Sequence, residues 1–314
     1  MTREPVTVSV VICAYTTQRW ERLHHAVDSV LAGDRPVELI VVIDHCDELL
    51  SAARRAFGAD RRVRVIPNAE TRGLSGARNT GVRAAGGDVV AFLDDDAVAA
   101  PGWADDLSAH YRDQTVAGVG GYASPVWPDA RPSWMPAEFD WVVGCSYIGQ
   151  PKRIAPVRNP IGCNMSLRRS VLDEVGGFRS EVGRVGATPV GCEETELFIR
   201  VRATEASNQV LFDPDIRVEH YVSEDRTTLR YFVRRCYHEG LSKAVVTEMA
   251  GTAAGLSSER TYVRRVLPMA VARELRSMTT DGLVRALAIC LGLAATTAGF
   301  TRAKVSRSLS RRAR

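Results

Sequence analysis

Four short apolar runs constrain the fold more than anything else in the chain. Val6–Ala14 (VTVSVVICA), Val37–Ile43, Arg62–Ile66 and 89–93 (VVAFL) are rich in β-branched residues and end in polar or turn residues, the pattern of strands buried on both faces. Between them, Trp20–Ala32 places Trp20, Leu23, Val27, Val30 and Leu31 at helical spacing, and Leu49–Phe57 and Leu74–Ala84 read as further helices. This alternation predicts a parallel sheet with helices on both faces. Such sheets bind ligands beyond the carboxyl ends of their strands. Each polar cluster so far falls at such an end: Tyr15–Arg19, Asp44–Asp47 and Asp94-Asp95-Asp96.

The last cluster is the most demanding. Three carboxylates at the end of a buried strand repel one another unless a positive partner sits among them, and a hard divalent cation meets that need. A solvated acidic turn is the rival reading of an isolated Asp-Asp-Asp. No GxGxxG follows the first strand and no GxxxxGK[ST] occurs anywhere, which argues against dinucleotide enzymes and P-loop NTPases. A nucleotide site built on a metal-bridged diphosphate remains.

Composition sets further limits. The 314 residues are 45% hydrophobic and 25% charged, enough for one large domain with an appendage. A net charge of +4, dispersed and mostly Arg on the basic side, argues against nucleic acid as a partner. Seven scattered Cys without CxxC spacing read as reduced thiols of a cytoplasmic protein. Met1–Pro5 lacks the apolar core of a signal peptide. Ala286–Phe300, the longest apolar stretch, falls short of about 20 residues and is interrupted by glycine, which argues against a spanning helix.

From Gly118 to Trp141 the chain becomes rich in Gly, Pro and Trp, fitting a continuation of the sheet and then an aromatic loop. A short strand is predicted at Gly162–Leu167, helices at Ser170–Val175 and Glu193–Ala206, strands at Val210–Asp213 and Arg217–His220, and a long helix at Thr228–Val246. The expected organisation is a core domain over 1–250 (a nucleotide-binding half, 1–117, and an acceptor-binding half, 118–250), a helical extension over 251–301 and a basic disordered tail over 302–314.

Seven segments, in order, resemble family 2 glycosyltransferases of the inverting GT-A type: VSVVICAYTTQR (8–19), VVID (41–44), TRGLSGARNTGVRAAGGDVVAFLDDDA (71–97), NPIGCNMSLRR (159–169), GGF (176–178), GCEETELFIR (191–200) and VEHY (218–221). The resemblance implies an α/β, Rossmann-like GT-A fold with a mostly parallel central sheet, helices on both faces and a C-terminal helical extension. It also implies transfer of a sugar from a nucleotide-diphosphate donor to an acceptor hydroxyl by direct displacement. Under it, Ala14, Tyr15, Thr16 and Asp44 hold base and ribose, and an Asp at position 44 suits a UDP-sugar. Arg72, Ser75 and Arg78 approach the nucleotide or diphosphate; a surface ion pair is the rival reading for Arg78. Asp96 is the expected metal ligand, supported by Asp94 and Asp95 and completed by His220, with Mn²⁺ or Mg²⁺ bridging the diphosphate. Glu194 is the general base and Glu193 orients the acceptor or a loop, although acids in a first helical turn also occur simply because they suit the dipole.

The acceptor side is less marked. Trp127, Trp134 and Trp141 either line a groove or pack a loop onto the sheet. Arg158 and Asn164 lie in a stretch the resemblance places near donor sugar and acceptor, and Arg234 and Arg235 in a basic helix element near the leaving diphosphate. Partners expected are the nucleotide-sugar and a glycan, polyprenyl-linked or small-molecule acceptor. The Arg-rich C-terminal helices suit either peripheral contact with the inner face of a membrane or a homodimer. Two other classes share the sheet: sugar-nucleotide nucleotidyltransferases, whose glycine-rich loop after the first strand is missing here, and non-catalytic sugar-nucleotide or glycan-binding proteins, which have no need of acids at both 94–96 and 193–194.

Overall fold

In the computed structural model, residues 5–33, 35, 37–179, 192–205, 207–255 and 257–312 are described. They form two compact units. The first holds the described residues up to Ser124, from Pro151 to Arg179 and from Glu193 to His220; the second holds Pro125–Gln150, Cys192 and the residues from Tyr221 onward.

The first unit begins with the predicted alternation: β1 (Val8–Ala14), α1 (Trp20–Leu31), β2 (Glu38–Ile43), α2 (Asp47–Phe57), β3 (Val63–Pro67), α3 (Leu74–Ala84) and β4 (Val89–Asp94). It continues through β5 (Ala97–Ala99), α4 (Trp103–His110), β6 (Val116–Val126), β7 (Ala155–Pro156), β8 (Asn164–Arg168), α5 (Arg169–Val175), α6 (Glu193–Thr204) and β9 (Gln209–Tyr221). The sheet order is β3-β2-β1-β4-β8-β6-β9-β5, with β7 on β9. Its leading strands β3, β2, β1 and β4 are parallel, while β8 joins β4 and β6 antiparallel and β9 joins β5 and β7 antiparallel.

Strand periodicity sorts the core onto two faces. Val10, Ile12, Leu39, Val41, Ala91 and Leu93 pack with Leu23, Val27 and Val30 of α1, Leu49 and Ala53 of α2 and Leu107 of α4. Val11, Ile40, Val42, Val90 and Phe92 pack with Ala77 and Val82 of α3, Leu172 of α5 and Leu197 and Phe198 of α6. Gly81 lets α3 lie close on β1, because a Cβ there would stand 2.4 Å from Val11 Cγ1. The pair of strands predicted at 210–213 and 217–220 is one strand, β9, which carries Pro214 without breaking. The helix α4 was not anticipated.

The second unit contains α7 (Leu229–Gly255), α8 (Ser257–Thr261), a π turn at Tyr262–Val266, α9 (Leu267–Arg276) and α10 (Thr280–Arg312). Its core gathers Met135, Phe139, Val142, Phe232, Leu267 and Ile289. Trp127, Trp134 and Trp141 pack against this core, Trp134 edge-on to Phe232 at 5.4 Å. Trp141 donates its indole N–H to Tyr262 Oη at 3.3 Å. Packing is therefore the observed use of these rings. Residues 302–312, expected as a disordered tail, continue α10, consistent with the good helix propensity of Arg, Ala, Lys and Leu. Thr280–Ser306 is long and apolar enough to cross a membrane, contrary to the estimate from 286–300 alone, because the helix starts earlier and ends later than the apolar run.

Candidate active site

β1, β2 and β4 end side by side, Cys13 in register with Asp94 and Ala14 with Ile43. The polar clusters that follow them in sequence therefore meet in space. Past β4 the chain turns through Asp95 and Asp96 into β5, whose Ala97 stands opposite His220 on β9. That register brings His220, a distant residue in sequence, to the acids. His220 Nε2 lies 3.3 Å from Asp96 Oδ1. Asp94, Asp96 and His220 each offer one ligand atom, and these atoms lie within 4.8 Å of one another.

Two arginines knit the acids together. Arg19, from the turn after β1, reaches Asp95 Oδ1 at 2.8 Å and Asp96 Oδ2 at 2.9 Å. Arg78, on α3, reaches Asp94 Oδ1 at 3.3 Å and Glu193 Oε1 at 3.4 Å, and donates to the Gly162 carbonyl at 3.1 Å. Its guanidinium lies over the rings of Phe92 and Phe178. Arg78 is 2% exposed, so the surface ion pair weighed for it is excluded. Burial pulls its pKa down, but Asp94 and Glu193 reverse this and leave it above the ordinary arginine value.

Four acids, Asp94, Asp95, Asp96 and Glu193, share two guanidinium partners, Arg19 and Arg78. Asp95 Oδ2 and Glu193 Oε2 are buried without a hydrogen-bond partner. Burial, then the neighbouring Asp96, push the Asp95 carboxyl up to about 7. Buried oxygens short of partners in a cluster short of positive charge fit a metal held by Asp94, Asp96 and His220.

The nucleotide-side candidates divide in two. Asp44 is buried and accepts from Asn68 Nδ2 at 2.7 Å and Gly73 N at 3.0 Å, one donor to each oxygen, so it ties down the turn that leads into α3 and keeps further acceptor capacity. Ala14 is buried and its carbonyl accepts from Asp44 N at 2.8 Å. Ser75 is buried in the first turn of α3. Tyr15 (45% exposed) and Arg72 face solvent, and Arg19 lies over the Tyr15 ring. The Thr16 hydroxyl accepts from Gln18 N and caps the turn that presents Arg19.

At the start of α6, Glu193 is buried and Glu194 half-buried, with Thr195 Oγ1 3.5 Å from Glu194 Oε1. Glu196 points elsewhere, into Arg200 at 2.7 Å and Arg179 at 3.4 Å. Gly191, which opens the segment 191–200, lies outside the described residues.

The remaining candidates are placed as follows. Asn164 is fully buried: its Oδ1 accepts from Trp103 Nε1 at 2.9 Å, and its Nδ2 donates to the carbonyls of Tyr122 at 3.2 Å and Ile216 at 3.0 Å. It cross-links strands. Arg158 is buried, with Nε donating to Asn159 Oδ1 at 2.8 Å. In the second unit Arg234 is exposed, and it is Arg235 that turns inward, to Glu239 at 2.7 Å and over the Trp141 ring. Trp141 packs against that unit's core. The residue that sequence reasoning passed over is Arg19; its position in the turn after β1, beside the acid-bearing β4, was the available signal.

The comparisons bear on family and fold. The family model "Glycosyl transferase family 2" matches residues 9–176. The glucosyl-dolichyl phosphate glucuronosyltransferase of Haloferax volcanii is 34% identical over 276 residues, covering 87% of each chain. The succinoglycan biosynthesis protein ExoM of Rhizobium meliloti is 24% identical over 247 residues, 76% of this chain and 75% of that one. Among solved structures, a mannosyltransferase of Pyrobaculum calidifontis in complex with GDP-Man and Mn²⁺ shares the fold, with TM-score 0.60, 16% identity and coverage of 94% of this chain and 87% of that chain. A crystal structure of GalNAc-T7 with UDP, GalNAc and Mn²⁺ does so at TM-score 0.58 and 16% identity, over 83% and 58%. With a parallel nucleotide-type sheet, acids at its strand ends and a family match over more than half its length, this chain belongs to glycosyl transferase family 2 and is a glycosyltransferase of GT-A fold.

Proposed function

We propose that the chain is a metal-dependent inverting glycosyltransferase that uses a nucleotide-diphosphate sugar, of the UDP class, as donor. The observation that carries this reading is the arrangement of Asp94, Asp96 and His220 as a ligand set, joined through Arg78 to Glu193 at the start of the helix that bears Glu194. Asp96, Asp94 and His220 would hold Mn²⁺ or Mg²⁺. Such an ion, when bound, neutralises the charge of a departing diphosphate. Asp44 and the exposed Tyr15 and Arg72 serve the nucleotide, Asp44 by accepting from a pyrimidine N–H.

Glu194 acts as general base. Its carboxylate takes the acceptor hydroxyl proton as that oxygen attacks the anomeric carbon opposite the leaving group. The new C–O bond forms as the bond to the diphosphate oxygen breaks, and the anomeric configuration inverts. Glu193, fixed by Arg78, orients this end of α6. The named chemistry of the Haloferax volcanii relative favours a polyprenyl-phosphate-linked acceptor over a free glycan.

The test is UDP release from UDP-sugars by the full chain with and without Mn²⁺, together with product configuration by NMR. An inverted product formed only with metal is expected. A retained configuration overturns the displacement, full turnover in chelator overturns the metal, and pyrophosphate release from a nucleoside triphosphate overturns the reaction class.

A further inference from the structure

The second unit carries an apolar face that no described residue of that unit covers. Of the fourteen large hydrophobic side chains left exposed among the described residues, nine lie between Val263 and Val305. On α10, Leu283, Leu287, Leu291, Ala294 and Ala298 are all exposed. Their spacing of four, four, three and four residues keeps them on one stripe of the helix, about 22 Å long. Met278, 91% exposed, stands at the turn between α9 and α10, and Met269 and Leu275 are exposed on α9.

The opposite side of α10 is fixed. A Cβ at Gly299 would stand 2.0 Å from the Tyr237 carbonyl oxygen, and one at Gly292 would meet the rings of Phe139 and Phe232. Helix α10 therefore lies close along α7, so its stripe is a standing surface. The contact with α7 also decides between crossing a bilayer and lying on one. Thr280–Ser306 passes for a span by length and composition. But the turns of α7 beside it carry exposed Arg234 and the Arg235–Glu239–Lys243 ion network. Taking this pair of helices through hydrocarbon would carry those charges with it, at a cost of several kcal/mol.

Charge selects the occupant. Residues 260–314 hold twelve Lys and Arg against two acids, a net +10, which leaves the first 259 residues at −6. Arg264, Arg265 and Arg276 are exposed before the stripe, and Arg302 and Lys304 after it. Two copies of so basic a segment repel each other, whereas an anionic lipid surface attracts it. We propose that the α9–α10 face docks in the plane of an anionic membrane, with the Leu283–Leu287–Leu291 stripe and Met278 in the headgroup–acyl boundary and the flanking cations on lipid phosphates. This surface does not rest on the sugar-nucleotide reading.

The test is co-sedimentation of the full chain with phosphatidylcholine vesicles, with and without phosphatidylglycerol, followed by carbonate extraction. The expected result is binding to the anionic vesicles that weakens with salt and is released by carbonate. Arg264→Gln/Arg265→Gln/Arg276→Gln should weaken it by roughly tenfold or more. Leu283→Gln/Leu287→Gln/Leu291→Gln should abolish it without lowering the melting temperature, since these side chains are exposed. Equal binding to neutral vesicles, no binding, or unchanged binding by the leucine variant overturns the proposal. So does resistance to carbonate, which would mean a span, or a dimer in light scattering that only the leucine variant dissolves.

Discussion

A guanidinium lying over two phenyl rings has to find its carboxylates inside the protein, and Arg78 finds one at the end of β4, Asp94, and one at the start of α6, Glu193. Arg78→Ala leaves both without that counterion and is expected to destabilise the fold by about 3–5 kcal/mol, measured by denaturant unfolding. Arg78→Lys keeps the charge but cannot bridge two carboxylates with one planar fork, so it should lose turnover out of proportion to stability. Glu194→Gln should lower kcat by roughly 10²–10⁴-fold, with nucleotide affinity unchanged in calorimetry; unchanged turnover contradicts its role as base. The grouping of Asp94, Asp96 and His220 was legible in the sequence because each sits at or beside a strand end. Arg19 was not, because its pairing with Asp95 and Asp96 depends on the parallel register of β1 and β4. The partners of Asn164 were hidden for a related reason: only the assembled sheet brings its amide to Trp103, Tyr122 and Ile216.

Helix α3 is placed by its glycine as much as by its apolar residues. Gly81→Val would drive a side chain into Val11 and should cost about 1–3 kcal/mol, part of it recovered in the double variant with Val11→Ala. On α7, burial raises the pKa of Glu239, but Arg235 and Lys243 override it and hold the carboxyl at about 2. A depressed carboxylate pKa contributes stability that is present above the ordinary value, 4.5, and lost as pH falls toward 2. Thermal melts across that window should show the wild type losing stability more steeply than Glu239→Gln. Elements with strong periodicity were legible, α1 and α3 nearly to the residue. The Asp-Pro-Asp at 213–215 reads as a break, yet β9 runs through it, because pairing with strands on both sides outweighs local turn chemistry.

At the scale of the whole chain, the first unit follows from strand–helix alternation, which leaves few topologies to choose among. The helices of the second were legible too, as the long helix from Thr228 and the helical extension over 251–301, but its loop aromatics and π turn carry no period to read. The charge asymmetry was present in the sequence but became a surface only once α10 was seen to turn one side to α7. Nucleotide and metal should act on the first unit as ligands of the native state alone, so each raises its stability in proportion to occupancy. The most direct measurement is a thermal-shift comparison of wild type and Asp96→Ala with nucleoside diphosphates, each with and without Mn²⁺. Saturation at about 100 times the Kd corresponds to about 2.7 kcal/mol. The wild type should therefore shift by several degrees with UDP and Mn²⁺ together and much less with either alone, while Asp96→Ala shows no such synergy. An equal, metal-independent shift in both proteins would contradict a metal-bridged diphosphate at Asp94, Asp96 and His220.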